Sequence, residues 1–235
     1  MAILSGVGGR ALGIVTDPRA TFEAVARSPR WVGILALTFL IAAAAAAIVL
    51  STDVGQLALL DQWERTASAF GRSLTDAEYA RLAEASRNGA GYAVMTAFAS
   101  GPLLALGLSA VLFFAFRTAA PGAVTFQQVL AVVAHAGVIL AVRQLVAAPV
   151  AYASETLTSP ITMGIFFRML DETSPLARFF GIIDLFVVWW VFVLAVGMSV
   201  LYRRPAGRLA GVFVGAYVTL AIVLTAVMAA TGGTA

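Results

Sequence analysis

The chain contains no cysteine and no lysine, and its one histidine is His135. Without cysteine there is no disulfide, no zinc–thiolate site and no thiol nucleophile. Without lysine there is no Schiff-base chemistry and no Walker-type phosphate lysine. A lone histidine supplies neither a multi-histidine metal site nor a haem ligand pair, so no cofactor and no metal are expected. Charge is scarce as well: 11% of the 235 residues are charged, against about 25% in soluble domains.

What replaces charge is apolar surface, at 61% of residues and a mean hydropathy of +0.94. Uncharged apolar runs of about 20 residues cross a hydrocarbon layer of about 30 Å as helices. Five such spans are expected, at about 31–50, 90–116, 126–150, 179–202 and 208–230. The fold class is therefore all-α, a polytopic integral membrane protein built as a five-helix bundle, and its first partner is the lipid bilayer. Residues 1–30 form a segment ahead of the membrane domain 31–235, into which a hydrophilic insertion, 51–88, is set. The first strong apolar run starts near Trp31, late for the core of a cleavable signal peptide.

All the basic residues are arginines, and most flank the spans. A net charge of +3 and a pI near 9.8 therefore report membrane topology rather than nucleic-acid binding. Arg10, Arg19, Arg27, Arg30, Arg117, Arg203, Arg204 and Arg208 share one side with just Asp17 and Glu23. The other side holds Arg65, Arg72, Arg81, Arg87, Arg168 and Arg178 among many acids. The arginine excess places the N-terminus in the cytoplasm and the C-terminus outside.

Local signals fill in the connections. In TDPRATFEAVARSPRW, Asp17 can cap a helix, Pro18 suits its first turn, and Phe22 and Val25 form an apolar stripe, predicting a short interfacial helix on the inner leaflet. In the insertion, Thr75 and Glu78 are spaced as a capping box and Gly71 can end a preceding helix, predicting an external helical hairpin. ITMGIFFRML, opened by Ser159-Pro160, is too short to span and too apolar for water, so an interfacial or re-entrant segment is expected. Gly101-Pro102 falls mid-way in the second span and predicts a kink. Gly207, Gly211 and Gly215 are spaced to let another helix approach the fifth span closely. A neighbouring helix of the same bundle is the expected partner, with self-association as the alternative.

These features resemble the Yip1 domain family of five-span membrane proteins, particularly its short bacterial members. The resemblance rests on Asp17-Pro18, Thr21-Phe22 and Pro29 ahead of the first span, on TFQQVLAVVAHAGV leading the third, and on WWVFVLAVGMSVLYRRP closing the fourth. It implies a non-enzymatic protein of a bacterial inner membrane, a scaffold or a membrane-organising, trafficking-type factor. Eukaryotic relatives bind Rab GTPases; no long N-terminal domain precedes the first span here, so a GTPase partner is not expected. Other membrane proteins or further copies of the chain are.

Enzyme signatures are missing: there is no HExxH, no GxSxG and no phosphate-cradling loop. Ser109 and His135 sit at comparable depths, but serines in membrane helices ordinarily bond backbone carbonyls. Gln127 and Gln128 follow Thr125 as a capping box. That leaves His135, Arg143 and Asp184 as an intramembrane polar cluster. Arg143 lies about 9 Å from the outer end of the third span and Asp184 about 8 Å from the same side on the fourth, at ~1.5 Å per residue. A lone charge at mid-bilayer costs at least ~2.5–3.5 kcal/mol, so an Arg143–Asp184 ion pair is predicted. With His135 about 12 Å deeper on the same face, the three also suggest a proton relay in a small transporter or channel. An arginine beside the acid holds it ionised, which favours the structural pair.

Overall fold

The computed structural model describes residues 6–117, 124–157, 161–167, 169–171 and 174–231. The elements are α1 (Val7–Thr16), α2 (Pro18–Arg27), α3 (Val32–Leu50), α4 (Asp53–Ala69), α5 (Asp76–Ser86), α6 (Gly89–Phe116), α7 (Phe126–Ala136), α8 (Val138–Ser154), α9 (Pro175–Ile182), α10 (Leu185–Tyr202) and α11 (Ala206–Thr231). Five stretches are long and apolar enough to cross a membrane: α3, α6, α7 continued by α8, α10 and α11. The chain is an all-α polytopic membrane protein. Its contacts form two compact units, Met1–Ala42 with Thr96–Arg143 and Phe186–Gly215, and Ala43–Met95 with Gln144–Leu185 and Ala216–Ala235.

The first unit is organised around α7, in which every residue from Val129 to Ala136 is buried. Helices α1 and α2 both pack on it, and Leu194, Ala195 and Met198 of α10 share its apolar cluster. Helix α2 starts as its sequence implies, with the Asp17 carboxylate accepting the Ala20 N–H at 3.1 Å and Pro18 in the first turn. Its stripe does not meet lipid, however. Phe22 and Val25 are fully buried inside the unit, because α7 and α10 offer a packed apolar surface there. Gln128 Nε2 donates to the Ala26 carbonyl at 3.0 Å and Gln127 Nε2 to Pro29 at 3.3 Å, so α7 also satisfies carbonyls at the end of α2. The Thr125–Gln128 capping box starts α7.

Two glycines set approach distances in this unit. A Cβ on Gly197 of α10 would stand 2.5 Å from Val132 and 3.0 Å from the Phe22 ring. At Gly101 a Cβ would overlap the ring of Phe39, so this glycine makes room for α3, and α6 runs on through Pro102 as one helix. The glycine row of α11 behaves otherwise. A Cβ at Gly207, Gly211 or Gly215 meets no described atom within 4 Å, and all three residues are exposed. Among the described residues, no neighbour meets this face closely enough to need the glycines.

In the second unit, Thr52 caps α4, the Thr75–Glu78 capping box starts α5, and Gly71 takes the left-handed conformation (φ 70°) between them. The Thr75 backbone N–H, then the Arg72 side chain, hold the Glu78 carboxyl below its ordinary pKa. The hairpin joins the membrane helices through Leu50, Leu59 and Ala93, with Trp63 edge-on to Tyr92 at 5.3 Å.

The packing at Gly197 gives a direct test. Gly197→Ala should destabilise the fold by about 1–3 kcal/mol through overpacking. Gly107→Ala, where a Cβ meets open space, should be neutral or gain up to about 1 kcal/mol. Thermal unfolding in detergent micelles should separate the two.

Candidate functional site at the break in the fourth span

The fourth apolar span is α10 alone, Leu185–Tyr202; α9 precedes it and is separated from it where Ile183 is extended (φ −77°, ψ 96°) and Asp184 immediately precedes α10. The expected continuous span 179–202 is thereby corrected, and Asp184 moves from a helix interior to a helix start, where a carboxylate suits the positive end of the dipole. A break between helices strands backbone donors and acceptors, which need partners where they are buried.

The segment 161–163 meets that need from one side. Thr162 and Asp184 form an antiparallel bridge, in which the Met163 N–H donates to the Ile183 carbonyl at 2.7 Å and the Leu185 N–H to Ile161 at 3.1 Å. Tyr217 of α11 meets it from another side. Its hydroxyl donates to the Ile182 carbonyl at 2.9 Å and accepts the Asp184 N–H at 3.1 Å. One phenol thus links the last residue of α9 to the residue before α10. Thr162 and Asp184 are both buried.

The apolar connection supports this joint. Its residues Met163–Phe167 form a 3-10 turn, and Phe167 stacks on Phe180 of α9 at 4.1 Å. Gly164 and Gly181 bring the two backbones close, a Cβ on the former standing 3.5 Å from the latter's Cα. Arg178 of α9 donates to the Met228 carbonyl near the end of α11 at 2.7 Å. A re-entrant or interfacial reading fits a turn tucked against a membrane helix; Ser159-Pro160 and Arg168 lie outside the described residues.

The other sequence candidates fall in the first unit. His135 is the penultimate residue of α7 and fully buried; its Nδ1–H donates to the Ala131 carbonyl at 2.7 Å, and Nε2 meets no hydrogen-bond partner among the described residues. Arg143 is half-buried on α8, beyond the Gly137 junction. Ser109 is fully buried and donates to the Ala105 carbonyl of its own helix at 2.6 Å. Arg10 was not foreseen as a buried group. Its guanidinium donates to the Ser28 carbonyl at 3.1 Å, and burial, then the Arg30 charge, hold its pKa below the usual arginine value.

Tyr217 and Thr162 were also missed. The available signal for Tyr217 was a phenol inside an apolar span, since a buried tyrosine hydroxyl ordinarily finds a partner. Nothing comparable marks Thr162.

Tyr217→Phe removes both hydroxyl bonds while keeping the ring, and should cost about 1–3 kcal/mol of stability. Tyr152→Phe, at an exposed ring, should leave the unfolding midpoint unchanged. Parallel thermal melts of the two variants provide the check.

Comparison with known proteins agrees with this architecture. No curated protein and no solved structure matches the chain. A family model, the Yip1 domain, matches residues 12–228, which run from α1 through the break and the Tyr217 contact to the last turns of α11. The chain belongs to the Yip1 domain family of membrane proteins.

Proposed function

We propose that this Yip1-domain protein is a non-enzymatic membrane scaffold, an organising or trafficking-type factor whose partners are other membrane proteins or further copies of itself. The observation that carries this reading is the use of Tyr217. Its hydroxyl is spent on the backbone at both sides of the break, beside the 161–163 bridge, so the joint is braced rather than left open to a solute. His135 and Ser109 likewise donate to carbonyls of their own helices. The arginine distribution favours a cytoplasmic N-terminus and an outside C-terminus, in a bacterial inner membrane. Within the scaffold, Arg143 and Asp184 act as a structural ion pair between the third and fourth spans.

A second reading, a small transporter or channel using His135, Arg143 and Asp184, draws on the break itself. Interrupted helices beside apolar re-entrant turns are also how transporters build sites at depth.

Charge removal separates the readings. For a structural pair, Asp184→Asn and Arg143→Gln should each lower folded yield, and the double variant should recover much of it. Asp184→Asn that folds normally yet abolishes a proton or ion flux in liposomes overturns the scaffold.

A further inference from the structure

Helices α1 and α2 are consecutive, each ten residues long, and they turn opposite kinds of surface outward. On α2 the arrangement is that of a helix facing water or headgroups. Arg19, Glu23 and Arg27 form an exposed row, while Thr21, Phe22 and Val25 are buried. On α1 the polarity is reversed. Val7 (42% exposed), Leu12 (60%) and Val15 (40%) point outward, while its one charged residue, Arg10, is buried beside Gly13 and Ile14.

Water outside α1 would favour the opposite choice for the apolar side chains. Exposing Val7, Leu12 and Val15 to it forgoes their transfer free energy. Apolar surroundings outside α1 remove the conflict. Thr16, the remaining polar side chain on the outer face, donates to the Leu12 carbonyl at 3.1 Å and needs no water. The level of the helix is set by Val7, whose side chain lies 2.9 Å from the Cβ position of Gly33, the second residue of α3. Helix α1 therefore lies beside the start of the first span, at the edge of the bilayer.

We infer that α1 is embedded in the leaflet on the N-terminal side, with Val7, Leu12 and Val15 among acyl chains, and that the neighbouring arginines take anionic phospholipid headgroups. The basic frame belongs to the same unit: Arg19, Arg27 and Arg30 follow α1, and exposed Arg117, Arg203, Arg204 and Arg208 lie at the span ends that share its side of the membrane. Arginine forks suit phosphate, and each basic group near an anionic surface adds about 1 kcal/mol of attraction. The assignment holds for a scaffold and a transporter alike.

The natural lack of cysteine makes the test clean. Single cysteines replace Leu12, Val15, Arg19 or Glu23 in the full chain, all exposed positions, and carry a nitroxide in phosphatidylglycerol–phosphatidylcholine nanodiscs. Positions 12 and 15 should collide with oxygen several-fold more than with a water-soluble nickel chelate, and positions 19 and 23 should show the reverse. Nickel accessibility at 12 and 15 equal to that at 23 overturns the inference. So does shielding from both reagents at 12 and 15, which would mean that protein covers the face. For the headgroups, Arg19→Gln with Arg27→Gln should reduce phosphatidylglycerol enrichment around the chain and leave position 12 immersed. Unchanged enrichment contradicts the lipid role of those arginines.

Discussion

A backbone N–H or C=O within a hydrocarbon layer has no water to fall back on, and each unmet group costs several kcal/mol, of the order of ~4 or more against a fully apolar reference. The break between Ile182 and Leu185, where Thr162 and Asp184 are buried, raises the same demand, and partners within the second unit meet it. Tyr217 on α11 supplies a donor and an acceptor from one atom. The Ile161–Met163 segment supplies two further backbone bonds. The Phe167–Phe180 stack and the Gly164–Gly181 approach hold that segment within reach. Asp184 is where it is because a chain that stops and restarts a helix places its acid at the new N-terminus.

The first unit solves a related problem with side chains. Helix α7 is buried on every side from Val129 onward, which leaves no lipid-facing surface along that stretch and makes the fit of Val132, Phe22 and Gly197 critical. The glutamines that start α7 also serve the end of α2, so the segment before the first span is tied to the membrane helices by directional bonds as well as apolar contact. Ser109 and the Nδ1 of His135 are served within their own helices, by the carbonyls of Ala105 and Ala131.

What was legible in the sequence follows the range of the forces involved. Capping is a three-residue effect, so Asp17, Thr75–Glu78 and Thr125–Gln128 all function as their spacing implies. Spanning helices are visible as apolar runs because bilayer thickness sets their length. The break at Ile183 was not legible: FFGIIDLFVVWW reads as one apolar run, and the group that bonds both sides of the break, Tyr217, lies 33 residues beyond Asp184. Helix α1 was missed because GVGGRALGIVT is short and glycine-rich, and what holds it is packing against α2 and α7, with Ile14 buried in the apolar cluster. The row Gly207, Gly211, Gly215 showed that a close approach was available; spacing alone does not say whether a neighbour uses it, and here no described neighbour does.

The fold depends most on the break before α10 being closed, its backbone bonded to Tyr217 and the 161–163 segment. Hydrogen–deuterium exchange in lipid nanodiscs tests it most directly. The amides of Met163, Asp184 and Leu185 should exchange at the slow rate of the α7 core, well behind those at 169–171. Exchange at Asp184 and Leu185 as fast as at 169–171 would mean that water reaches the joint, and would contradict the account.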